Sequence, residues 1–125
     1  MIVGIGTDIV QRQRIEASLA RLGESFAKRI LTPVEMDEFR RSRTQAAFLA
    51  KRFAAKEAAG KALGTGIGRG VSFQHIVVSH NDDRAPVLLL TEGASARLAA
   101  LGGSRCHISI SDEVEYATAF VVLES

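Results

Sequence analysis

Residues 45–63 read as one long helix. Alanine recurs through the stretch, no proline interrupts it, and Gly64 stands where a helix takes its C-terminal cap. A chain of 125 residues has room for one such helix in one core, so the remaining elements must pack around it. Ahead of it, residues 2–10 alternate as a strand, with Val3, Ile5 and Ile9 on one face and Asp8 on the other. Residues 12–22 carry Ile15, Leu19 and Leu22 at helical spacing, while Arg14, Ser18 and Arg21 line another face. A short helix over 24–30 turns Phe26 and Ile30 inward. Thr32-Pro33-Val34-Glu35 has the pattern of a capping box with proline at the first helical position, and that helix ends near Arg41-Ser42.

After the glycine-rich segment Gly64–Gly70 the pattern becomes β, β, α, β, β. Phe73–Ser79 and Val87–Thr91 are expected strands, joined by the turn-forming residues 81–86. Residues 92–101 form a helix with Ala94, Leu98 and Leu101 inward. Cys106–Ser111 and Tyr116–Leu123 close the chain as a hairpin, with Ile108 and Ile110 alternating against His107, Ser109 and Ser111. The whole predicts a single α+β domain over residues 1–125: a small antiparallel sheet packed against one long helix and several shorter ones.

Composition narrows the functional classes. Aromatics are scarce at 6% and Trp is absent, so the core falls to Ile, Val, Leu, Ala and Phe. No apolar run is long enough to cross a bilayer, and the N-terminal MIVGIGTDIV reads as a strand and not a signal peptide. The single cysteine, Cys106, excludes an internal disulfide framework and a cysteine zinc cage. A cytoplasmic protein is expected. Net charge is only +2, but residues 1–61 hold 12 Lys or Arg against 7 Asp or Glu, and residues 62–125 hold 4 against 7. The basic half would attract an anionic partner: nucleic acid, a phosphorylated small molecule or an acidic protein.

Three groups of residues could carry chemistry. Asp8 lies in an otherwise apolar strand, where a carboxylate must be paired, hold a metal, lie at a rim, or cap the next helix. Glu57 and Lys61 share a helix face, which suits either a metal ligand beside a phosphate clamp or an ordinary surface ion pair. The glycines at 64, 66, 68 and 70 satisfy neither the dinucleotide fingerprint nor a Walker motif. Their backbone could cradle a phosphate with Arg69 adding charge, or serve as a mobile connector. His107 alone reads as a structural histidine, no His/Cys cluster has metal-ligand spacing, and no Gly-x-Ser-x-Gly elbow is present.

Together these residues resemble the short bacterial holo-[acyl-carrier-protein] synthase family of phosphopantetheinyl transferases. The likeness is carried by Gly4-Ile5-Gly6-Thr7-Asp8-Ile9-Val10, by Phe48–Ala58 with its Lys56-Glu57 pair, by Lys61–Gly66, and by His107–Asp112 with Tyr116-Ala117. The resemblance implies the phosphopantetheinyl transferase fold and transfer of 4'-phosphopantetheine from coenzyme A to a serine of apo acyl carrier protein. Adenosine 3',5'-bisphosphate would be released, and the reaction would serve fatty acid biosynthesis. It implies Mg²⁺ held by Asp8 and Glu57, Lys61 steadying the attacked phosphate, and Arg52, Gly64, Thr65, Gly66 and His107 contacting coenzyme A. Glu57, directly or through a metal-bound water, would take the serine proton, with Glu35 and Asp37 as alternatives. Arg14, Arg21, Lys28 and Arg29 would face the acidic carrier. It further implies a homotrimer with active sites at protomer interfaces, and no nucleic-acid or membrane partner. Two other readings stay open: a nucleic-acid-binding module, on the basic N-terminal half, and a non-catalytic coenzyme A or nucleotide binder.

Overall fold

The computed structural model describes residues 1–125. Strand β1 (Ile2–Gln11) leads into α1 (Arg12–Leu22), α2 (Glu24–Ile30), α3 (Pro33–Arg41) and the long α4 (Gln45–Leu63). A 3₁₀ turn over Phe73–His75 precedes β2 (Ile76–His80) and β3 (Pro86–Leu90); α5 (Glu92–Ala100), β4 (Arg105–Asp112) and β5 (Tyr116–Glu124) follow. Strands β1, β5 and β4 form one antiparallel sheet in that order, and β2 and β3 form a separate hairpin. The strand expected from Phe73 therefore begins three residues later. There the Ser72 N–H donates to the His75 ring at 3.2 Å, and the chain turns before it extends.

The capping box at Thr32 forms as the sequence predicts. Glu35 N–H donates to Thr32 Oγ1 at 3.3 Å and Thr32 N–H to Glu35 Oε1 at 2.8 Å. Helix α4 is buried on several sides, with Ala54, Ala55, Ala58 and Ala59 inaccessible to solvent. Its small side chains let the sheet approach its backbone, and β1 answers with glycines. A Cβ on Gly4 would be driven into the Ala62 carbonyl oxygen, and one on Gly6 into that of Ala58. Gly64 closes α4 in the left-handed conformation (φ 78°), which glycine adopts without steric cost.

Ile5 and Ile9 share one face of β1 and Asp8 the other, as the sequence predicts, and the glycine face is the one that turns to α4. Gly6 and Val10 are buried against α4, with Asp8 half-buried between them, whereas Ile5 and Ile9 are 61% and 63% exposed. The strand turns its glycines inward because only they tolerate the contact with α4, which sends the isoleucines outward. Register carries this face across the sheet. Ile5 pairs with Val122 and Val122 with His107; Thr7 pairs with Phe120 and Phe120 with Ser109. Cross-strand partners share a face, so His107 lies on the outer side with Ile5 and Phe120, opposite Asp8.

Candidate active site

The close packing of β1 on α4 brings Asp8 and Glu57, far apart in sequence, to one cavity of about 460 Å³. Its other walls come from Ile9, Val10, Arg14, Ile15, Ser18, Phe26 and Phe53, so β1, α1, α2 and α4 all contribute. Lys61, one turn beyond Glu57, does not pair with it. Its ammonium donates to Asp8 Oδ1 at 3.1 Å and to the Thr7 carbonyl at 3.0 Å. The surface ion pair between Glu57 and Lys61 is thus not formed, and Asp8 caps no helix: β1 continues past it to Gln11.

Burial pushes the Glu57 carboxyl above its ordinary range, the charge of Asp8 adds to this, and Lys61 pulls it back. Two carboxylates meet in one cavity; Lys61 beside them is engaged by Asp8, and Arg14 at the wall forms no ion pair with Glu57. A divalent cation would relieve this arrangement. The donor set suits Mg²⁺, which takes hard oxygen ligands, is bound through one or two carboxylates and keeps several waters. No third Asp, Glu, His or Cys joins the pair.

The segment after α4 is tied to its neighbours by hydrogen bonds. Gly66 N–H donates to the Gly60 carbonyl at 2.9 Å, and Gly68 and Val71 exchange hydrogen bonds of 2.7 and 3.0 Å. Gly60 and Gly93 seat the backbone of Gly66 and Gly70 against them. Two of the three N–H groups over Gly64–Gly66 are spent within the chain, since that of Gly64 donates to Lys61. The Thr65 hydroxyl donates to the Gly66 carbonyl at 2.9 Å. Arg97, a residue without a sequence signal of its own, reaches over from α5 to donate to the Leu63 carbonyl at 2.8 Å, satisfying an end of α4.

Other expected residues stand elsewhere. Arg52 is buried, paired with Glu35 and Glu38 and stacked on Phe48. It lines a second cavity of about 280 Å³ with Lys51, His80, Arg84, Pro86 and Asp112, which shares no residue with the first. Glu38 and Asp112 stand among the cations of that cavity, and burial together with Arg52 lowers the proton affinity of His80. His107 pairs with Glu124 at 2.9 Å on the outer sheet face. Arg14, Arg21, Lys28 and Arg29 are exposed, with Arg14 at the wall of the Asp8–Glu57 cavity. Neither Glu35 nor Asp37 lines that cavity. Glu35 is buried in a hydrogen-bonded cluster, and Asp37 is exposed beside Arg40.

Known proteins share this sequence and this fold. The 4'-phosphopantetheinyl transferase superfamily matches residues 4–121. The holo-[acyl-carrier-protein] synthase of Shewanella piezotolerans is 58% identical over 131 residues, covering 100% of both chains. The crystal structure of the holo-[acyl-carrier-protein] synthase from Neisseria meningitidis superposes with a TM-score of 0.93 at 46% identity, covering 100% of each chain. That from Bacillus anthracis, in complex with CoA (3',5'-ADP), superposes with a TM-score of 0.84 at 42% identity, covering 100% of this chain and 98% of that one. With the match running through both β1 and α4, the chain belongs to the holo-[acyl-carrier-protein] synthases of the 4'-phosphopantetheinyl transferase superfamily.

Proposed function

We propose that this protein transfers 4'-phosphopantetheine from coenzyme A to a serine of apo acyl carrier protein, for fatty acid biosynthesis in the cytoplasm. The convergence of Asp8 and Glu57 at one cavity, with Lys61 paired to Asp8, carries the reading. The serine oxygen forms a bond to the β-phosphorus of coenzyme A as the bond to adenosine 3',5'-bisphosphate breaks. The serine proton leaves to Glu57, the one acid of the cavity not engaged by Lys61, or to solvent. Lys61 would turn part of its charge from Asp8 to the pyrophosphate, where negative charge gathers as the bond breaks. Asp8 and Glu57 would hold Mg²⁺, which when bound supplies charge stabilisation to the same oxygens. Phe26, Phe53 and Ile15 form apolar walls, and the exposed Arg14, Arg21, Lys28 and Arg29 offer positive charge to an acidic carrier.

His107 would reach coenzyme A from another protomer, whereas Arg52 is buried and held by Glu35 and Glu38. His107 lies on the sheet face opposite Asp8, and Arg52 lines the separate cavity of mixed charge. A homotrimer that sets the outer face of one chain beside the Asp8–Glu57 cavity of the next would bring His107 to the shared ligand, with Thr65 near it. No helix is long and apolar enough to cross a membrane.

Incubating the purified protein with Mg²⁺, coenzyme A and an apo acyl carrier protein tests the reading by mass spectrometry. The carrier is expected to gain one phosphopantetheine as adenosine 3',5'-bisphosphate appears, and a chelator is expected to stop both. A carrier of unchanged mass at saturating substrate overturns it.

A further inference from the structure

Beside Glu57, one residue earlier on α4, Lys56 is wholly buried, and so is Glu35 at 1% exposure. Burying a lysine ammonium is costly unless each of its three protons finds an acceptor. Here each does: the Ile30 carbonyl at 2.7 Å, Glu35 Oε1 at 2.6 Å and the Phe73 carbonyl at 3.1 Å. Glu35 is equally engaged, taking N–H groups from Thr32 at 2.8 Å and Val78 at 2.9 Å, with Arg52 3.5 Å away. Desolvation lowers the proton affinity of Lys56, with Glu35 opposing. One point therefore joins α4 to the end of α2, the start of α3, the 3₁₀ turn and β2. Gln74 adds a second tie to the same last turn of α2, donating to the Lys28 and Arg29 carbonyls at 3.0 and 2.9 Å.

The element held in this way is not remote from the chemistry. Helix α2 supplies Phe26 to the wall of the Asp8–Glu57 cavity and presents Lys28 and Arg29 to solvent. We propose that Lys56 is a positioning residue for carrier recognition: with Glu35, and aided by Gln74, it sets where Phe26, Lys28 and Arg29 stand relative to Glu57. The proposal rests on the transferase reading and specifies which part of the site that reading leaves to α2.

The test separates positioning from mere stability. Lys56→Met alone leaves the buried Glu35 carboxylate with only Arg52 as a cation, so it is compared with Lys56→Met/Glu35→Gln, in which both charges are gone and Arg52 keeps Glu38 as its partner. In the double variant the melting temperature is expected to recover towards the parent and coenzyme A binding, followed by calorimetry without carrier, to match it. The KM for the carrier is expected to rise about 10–100-fold with kcat largely kept, the scale on which misplaced binding groups act. A double variant that recovers stability with an unchanged carrier KM overturns the proposal. Gln74→Leu, at an exposed position, keeps the question decidable if the double variant does not fold: a raised carrier KM supports the proposal and an unaltered one defeats it. If the parent protein modifies no carrier at all, the transferase reading itself fails, an outcome distinct from either of these.

Discussion

Lys61 shows how one side chain changes meaning with its partner. Four residues after Glu57 on a helix, it has the spacing of a common surface ion pair. In the fold it turns instead to Asp8 and the Thr7 carbonyl, which leaves Glu57 without a cation of its own. Replacing Asp8 by Asn, or Glu57 by Gln, is therefore expected to lower kcat/KM for transfer by roughly 10²–10³-fold, the usual size for losing one preorganised electrostatic group. Circular dichroism and oligomer size should stay as in the parent. The Lys61–Asp8 pair is half open to solvent on the lysine side, so its loss should cost less than about 1 kcal/mol in urea unfolding. Collapse of the fold in Glu57→Gln would mark that carboxylate as structural. These three residues were legible in the sequence because their types fit the chemistry of a recognised motif. The burial of Lys56 was not, although the residue stands next to Glu57 in the same motif. A lysine within an alanine-rich helix reads as exposed, and only the arrival of Glu35, Ile30 and Phe73 from other segments makes its burial tolerable.

At the scale of elements, the helices were readable from their own ends. Thr32-Pro33 and Gly64 place α3 and α4 because caps are local chemistry. Which face of β1 turns inward was not readable by hydrophobicity, because the inward face is built on glycine. Gly4 and Gly6 contribute little apolar area, yet they admit the Ala62 and Ala58 carbonyls of α4, and that contact carries Asp8 to Glu57. The bend into a 3₁₀ turn at Phe73 escaped for a similar reason: it depends on a ring nitrogen of His75 meeting the Ser72 N–H. Gly6→Ala is the informative change. A methyl group there must push β1 away from α4, an overpacking strain of about 1–3 kcal/mol. The urea midpoint should fall accordingly, and transfer should fall more than in a surface variant of equal stability, since Asp8 moves with the strand. A Gly6→Ala protein with parental stability and parental turnover would mean that the glycine contact does not set the Asp8–Glu57 spacing.

For the whole molecule, the decisive feature is the outer face of the three-stranded sheet. Ile5, Ile9 and Phe120 are each substantially exposed there, and register places Ile5, Val122 and His107 in one row across β1, β5 and β4. A neighbouring set of large apolar side chains on one sheet face is the kind of surface that the proposed homotrimer would cover. His107 in that row places a candidate ligand contact at the same surface, which is why assembly and activity should fail together. A charge introduced at its centre, Phe120→Glu, would have to be buried unpaired on association. It is expected to yield monomers by light scattering and sedimentation, with the antiparallel sheet retained by circular dichroism. Because Asp8, Glu57 and Lys61 meet within one chain, the monomer should still hold Mg²⁺ at that cavity, while transfer from coenzyme A should fall by roughly 10²-fold or more through loss of the second protomer's contacts. A monomeric Phe120→Glu protein that modifies the carrier at the parental rate would show that one chain contains the complete site, and His107 would then have no part in binding coenzyme A.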